Sequence, residues 1–200
     1  MAITINGSGT VTGVSVGGLP DGIVDTDMLA AEAVTGAKQA NGSIIQVKQA
    51  VNSAMSSESI GNAVWEDISG LSVSITPTTN TNKILVSYRV AMASTKGQYT
   101  TFLRIVRDST AVGLGDQTGS SRPRVTSSHP TGPSDWNDYE IIHHSNMFLD
   151  SPGTTSATTY KMQWTDSYGQ TFYLNRAKGD GDNAHWASQI SHITVMEVVA

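Results

Sequence analysis

Two hundred residues are enough for one packed domain with an appendage, or for two small domains. Charged residues make up 14%, the net charge is −5, and there is no Cys. That excludes disulfide staples, Cys-ligated zinc and thiol catalysis, and it argues against a nucleic-acid binder, which needs clustered Lys and Arg. The nearest approach to a basic cluster is the pair Arg122 and Arg124, too small to replace counterions. Ser and Thr together form about a quarter of the chain and Gly adds 19 residues. Thr favours strands while Ser, Gly and Asn favour turns, so the balance points to an all-β protein. No apolar run approaches the roughly 20 residues of a membrane-spanning helix, and Met1 to Ile5 lack a basic or strongly apolar leader. Neither membrane insertion nor export by a cleaved leader is expected.

Residues 1–42 stand apart, with no aromatic residue and eight glycines. Ile3–Ile5, Thr10–Thr12 and Val14–Val16 read as short β segments between Gly-rich turns, too short to bury a core alone. The stretch IVDTDMLAAEAVTGAK is expected to form one short helix, with Asp25 as N-cap and Lys38 near the C-terminal end. Such a helix is marginal in isolation, and Met28, Leu29 and Val34 need a covering partner.

From residue 43 onward the pattern is β. Ile45–Val47 and Leu71–Ile75 alternate, and Ile84, Val86, Tyr88, Val90 and Met92 give the cleanest half-buried strand. Further strands are expected at Phe102–Val106, Ala111–Leu114, Tyr139–His144, Met147–Leu149, Tyr160–Trp164, Gln170–Asn175 and Ile190–Val198. Residues 115–138 read as one long loop, functional or mobile. The expected organisation is therefore an N-terminal attachment or trimerisation segment, 1–42, and an antiparallel, jelly-roll-like β-sandwich, 43–200.

The strings SIIQVKQAV and WEDISGLSVSITPTTNTNKILV resemble the opening of a C-terminal domain found in fibre-like virion proteins of aquatic tailed bacteriophages. FLDSPGTTSATTYKMQW, FYLNRAK and ISHITVMEV continue the resemblance, which is thinner through residues 93–145. GTVTGVSVGGLPDGIV is similar to the leading segment of phage fibre proteins. The resemblance implies a virion structural protein, assembled in the host cytoplasm and usually homotrimeric. Its N-terminus would dock on other virion proteins and its sandwich would face outward. Ile3, Ile5, Val11, Val14, Val16, Leu19, Met28 and Leu29 are then the candidate attachment residues.

Candidate chemistry is sparse. His143 and His144 are adjacent in a strand and point to opposite faces; a metal held by His at a trimer axis is the minor reading, and no metal or cofactor is expected. Residues 179–183, GDGDN, lack the Glu of a calcium loop and read as a tight turn. Asp138, Glu140, Asp150 and Asp166 offer carboxylates for glycoside hydrolysis, but no spacing singles out a pair. No G-x-S-x-G elbow is present, so no catalytic residue is assigned and no enzyme is expected. A polysaccharide-degrading tailspike would need a longer, repetitive chain. Trp164 alternates with Tyr160 and Met162 and belongs to the core. Trp136, Tyr139, Tyr168 and Trp186 stand in or beside loops and form a candidate host-glycan surface. The alternative is a purely architectural head fibre, decoration or connector protein with no receptor role.

Overall fold

Alternation decides which side chains are buried. Ile84, Val86, Tyr88, Val90 and Met92 are all buried while the residues between Ile84 and Val90 are partly exposed, as a strand with one face on a core requires. The computed structural model describes residues 4–5, 11–12, 34, 38–95, 100–116, 119, 121–130 and 138–200. The chain divides into two units, Met1–Gln39 and Ala40–Ala200. In the first, β1 (Thr4–Ile5) and β2 (Val11–Thr12) pair antiparallel, with Ile5 opposite Val11. The segment 14–16 lies outside the described residues, as does the helix expected over 23–38 apart from Val34 and Lys38.

The second unit is an all-β, jelly-roll-like sandwich of two antiparallel sheets. Its strands are β3 (Ile44–Asn52), β4 (Ser56–Ile60), β5 (Glu66–Ile75), β6 (Lys83–Ser94), β7 (Thr100–Arg107), β8 (Thr110–Val112), β9 (Ser127–Pro130), β10 (Ile142–Asp150), β11 (Thr158–Asp166), β12 (Gln170–Leu174) and β13 (Ser191–Val198). One sheet runs β3-β13-β6-β12-β4 with β10 also on β6; the other runs β5-β11-β7-β8 with β9 also on β7. Inward side chains of both sheets interleave, among them Leu71, Leu103, Ile105, Tyr160, Met162, Ile193 and Val195. Trp164 lies in this core as expected, 5.1 Å from Phe172 between ring centroids.

Two long strands organise the sheets, and each carries two short strands end to end along one edge. β10 pairs with β6 from Ile84 to Met92, which occupies one edge. The other edge takes β13 over Lys83–Arg89 and β12 over Met92–Ser94. Asn175 and Ser191 fill the junction. The Asn175 amide donates to Ala91 O at 2.8 Å, and the Ala91 amide donates to Ser191 Oγ at 2.9 Å. On β7 the same arrangement pairs β11 along one edge and β8 and β9 in tandem along the other. There Thr126 bridges the gap: its amide donates to Leu103 O and its hydroxyl accepts from the Ile105 amide.

The registers give the sandwich two unlike ends. The chain enters beside Val199, with Gly42 N on Val199 O at 2.8 Å and Val199 N on Ser43 O at 2.9 Å. The turns 76–82 and 108–109 and the connection 151–157 lie at that end, because Val198 pairs with Lys83 and Asp150 with Ile84. The turns 61–65 and 167–169 and the start of β10 lie at the opposite end, beyond Ser94 and Asp166.

Three sequence expectations need correction. Residues 115–138 are not one loop, because β9 lies within them and completes the edge of β7. The segments 139–144 and 147–149 are one strand that begins at Ile142, with Asp138 and Tyr139 in the turn before it. β4, SSESI, was not anticipated, since its one core residue, Ile60, gives no alternation; pairing with β12 forms it.

Candidate functional site

Asp138 and Tyr139, just before β10, meet the long connection between β12 and β13. Gly179 N donates to Asp138 O at 3.0 Å, and Lys178 Nζ lies 3.4 Å from Asp138 Oδ1. Tyr139 stacks on Trp186 with centroids 4.5 Å apart and planes 22° from parallel, and His185 stands edge-on to it at 6.2 Å. The chain bends at Asp182 and Asn183, and the two glycines before them serve packing. A Cβ at Gly179 would lie 1.9 Å from Trp186 Cη2, and one at Gly181 would lie 2.4 Å from Nε1. Only glycine lets the backbone run against the indole there. Beside this stack opens a cleft of about 340 Å³ lined by Met55, Arg176, Asp180, Asp182, Asn183 and Ser188 among others. Arg176 is held over the Tyr173 ring at 4.5 Å and lies 3.3 Å from Asp180.

The structure thus brings Tyr139 and Trp186 together. Tyr168 is elsewhere, on the β11–β12 turn where Asp166 Oδ1 accepts from the Tyr168 and Gly169 amides at 3.2 and 2.8 Å. Trp136 lies outside the described residues. Of the attachment candidates, Ile5 and Val11 are paired across β1 and β2; Ile3, Val14, Val16, Leu19, Met28 and Leu29 lie outside the described residues. Sequence reasoning read Asp182 and Asn183 only as part of a turn and missed Arg176; their shared cleft forms only when the chain closes on Trp186.

The candidate carboxylates do not form a pair from Asp150 and Asp166. Asp150 Oδ2 accepts from Tyr160 Oη at 2.6 Å and from Arg107 Nη1 at 2.7 Å. Asp166 caps a turn six residues further along β11 than Tyr160, about 20 Å away at strand rise. Burial, and then the Asp150 carboxylate, raises the Tyr160 hydroxyl above its ordinary range. Among the described residues no three His, Cys, Asp or Glu side chains gather as metal ligands.

His143 and His144 do face opposite ways: His143 is exposed and bonded to Gln189, while His144 is buried. Tyr88 Oη donates to Ser127 Oγ at 3.0 Å, and Ser127 Oγ lies 3.2 Å from His144 Nδ1. His144 Nε2 is buried with no hydrogen-bond partner, and the His129 ring stands edge-on at 6.2 Å. Burial first, and then the neighbouring His129 and His143, lowers His144 from 6.5 to about 4. The unfolded chain therefore binds this proton near pH 6.5 and the folded chain near pH 4. The stability contribution is full above pH 6.5 and is lost as pH falls toward 4, at up to about 1.4 kcal/mol per pH unit. Urea titrations at pH 7, 6 and 5 should show this slope for the natural chain and a flatter one for His144→Gln. Equal slopes would remove His144 as the cause.

No family model matches this chain, and no curated protein matches it. Among solved structures, the chain is similar to that of the infectious bursal disease virus Gx strain, at 15% identity and a TM-score of 0.35, over 78% of this chain and 37% of that one. It is also similar to the infectious bursal disease virus VP2 subviral particle, at 10% identity and a TM-score of 0.34, over 77% of this chain and 41% of that one. The chain therefore spans about two fifths of the length of the structures it matches.

Proposed function

We propose that the chain is a virion structural protein of the fibre kind, a non-enzymatic homotrimer attached to the particle through residues 1–42. Its sandwich presents the Tyr139–Trp186 end outward for recognition of host-surface glycan. The observation that carries this reading is the polarity of the sandwich. The chain enters at one end through the Gly42–Val199 bonds, and the aromatic turns lie toward the other. A particle-bound N-terminus therefore leaves Tyr139 and its cleft free. The motif resemblance to phage fibre proteins supplies the biological setting. Sugar rings present apolar C–H faces that stack on aromatic rings, and their hydroxyls suit Asp182, Asn183 and Arg176.

The test is binding of the full chain to envelope polysaccharide extracted from host cells. Tyr139 is exposed and lies outside the buried core, so Tyr139→Ala leaves the packing between the sheets in place. It should weaken binding about tenfold, the worth of one stacking contact. Binding unchanged by the substitution would remove this cleft from the account. A natural chain that binds no envelope polysaccharide would favour a purely architectural role.

A further inference from the structure

The face of the β3-β13-β6-β10 sheet turned away from the core is apolar in a way that a solvent-facing strand surface is not. The registers align its side chains in rows. Val47 is opposite Met196, Met196 opposite Leu85, and Leu85 opposite Leu149, which makes one apolar row across all four strands. Met147 and Ile44 extend it in neighbouring rows. Ile44, Val47, Val51, Met147 and Leu149 are each between 46% and 60% exposed. A cluster of five such side chains on one face marks an interaction surface rather than scattered exposure.

We propose that this face is buried between copies of the chain and is the interface of the homotrimer, an inference that rests on the oligomeric reading above. Three observations favour a second copy as the occupant. The first is size. Four strands at about 4.8 Å spacing and four alternate rows cover roughly 500 Å². Three such faces round the trimer axis bury about 1,500 Å² together, the total of a standard specific interface. The second is charge: the four rows contain no acidic side chain, and Arg89, one of their two cations with Lys83, is already bonded to Gln189 and Ile190 O. Like faces therefore meet with little repulsion, and beyond Lys83 a charged partner finds nothing to pair with. The third is where the chain enters. Residues 42 and 43 are hydrogen-bonded to Val199 next to Ile44, at the corner of this same face. Copies joined through residues 1–42 meet at the high effective concentration of a short tether that starts beside this face.

The absence of natural Cys makes the test direct. In the full chain, Met147→Cys should react slowly with a soluble thiol reagent and should cross-link between copies with a short bis-maleimide. Ser74→Cys, exposed on the other sheet, should react at least tenfold faster and give no cross-link. Light scattering of the natural chain should give about 64 kDa, three times 21.2 kDa. A trimer in which the M147C thiol reacts as fast as S74C would overturn this face as the interface and leave the oligomeric reading standing. A natural chain that scatters as a monomer would overturn both.

Discussion

Replacing Asn175 by Ala should lower the stability of the sandwich by about 3–5 kcal/mol, enough to unfold much of an ordinary small domain's margin. Asn175 is fully buried and sits in the left-handed region with φ 62°. Its Nδ2 donates to Asn52 O at 2.9 Å and Ala54 O at 3.0 Å, and its Oδ1 accepts from Ser191 Oγ at 2.6 Å. Its own amide and carbonyl are taken by Ala91 O and the Gln189 amide. One residue therefore closes the gap where β3, β4, β12 and β13 meet β6. Alanine would strand two carbonyls and a hydroxyl and would strain the backbone by about 1 kcal/mol more. Asn175→Gly should recover only that backbone part. Urea denaturation of the two variants beside the natural chain measures the difference, and a loss below about 1 kcal/mol for Asn175→Ala would contradict this role.

A loss of similar size, about 3–5 kcal/mol, is expected for Glu197→Ala. Glu197 is fully buried on the inward face of β13, where alternation places it in line with Ile193 and Val195. Its Oε1 accepts from Thr78 N at 2.6 Å, Thr78 Oγ1 at 2.7 Å and Asn82 Nδ2 at 2.8 Å. Its Oε2 accepts from Gln46 Nε2 at 3.3 Å. The carboxylate thus holds the polar turn 76–82 down onto the end of the sandwich where the chain enters. Removing it leaves the Thr78 amide and hydroxyl without an acceptor and leaves Asn82 Nδ2 only Thr78 Oγ1, at 3.2 Å. Glu197→Gln keeps one acceptor oxygen and should cost about 1–2 kcal/mol, less than half as much. Thermal unfolding monitored by circular dichroism ranks the variants; equal losses for the two would show that the charged carboxylate, not one acceptor oxygen, holds the turn.

These two residues mark how far the sequence could be read. β6 was legible because five apolar side chains alternate without interruption, and the all-β class followed from such runs. Glu197 carried a signal of the same kind, a charged residue at an inward position of a strand, but its partners Thr78 and Asn82 lie more than a hundred residues away. Asn175 looked like an ordinary strand-ending Asn, since only the tandem packing of β12 and β13 shows that it is enclosed. β9 escaped notice because Ser127 to Pro130 have no apolar pattern and owe their form to the edge of β7. In the candidate site, Tyr139 and Trp186 were chosen separately as loop aromatics. Their stacking depends on Gly179 and Gly181, read as turn formers but required by the indole against them. Tyr168, chosen by the same reasoning, stands on a different turn, because loop position alone does not tell which loops meet.

The outward apolar face was also present in the alternation, as Val47, Leu85, Met147, Leu149 and Met196. The cross-strand registers join Val47, Met196, Leu85 and Leu149 in one row with Met147 in the next, and that face gives the proposed trimer a physical basis.

The central claim is that this chain is carried on a virus particle by its N-terminal segment with the sandwich outward. Immunogold labelling of purified, intact particles with antibody raised against the surface of residues 138–142 and 179–188 tests it most directly. The account predicts gold at discrete, regularly placed positions on the particle exterior, lost when residues 1–42 are deleted from the chain during assembly. Particles that carry no label, while the same antibody detects the free protein in the infected-cell extract, would contradict it.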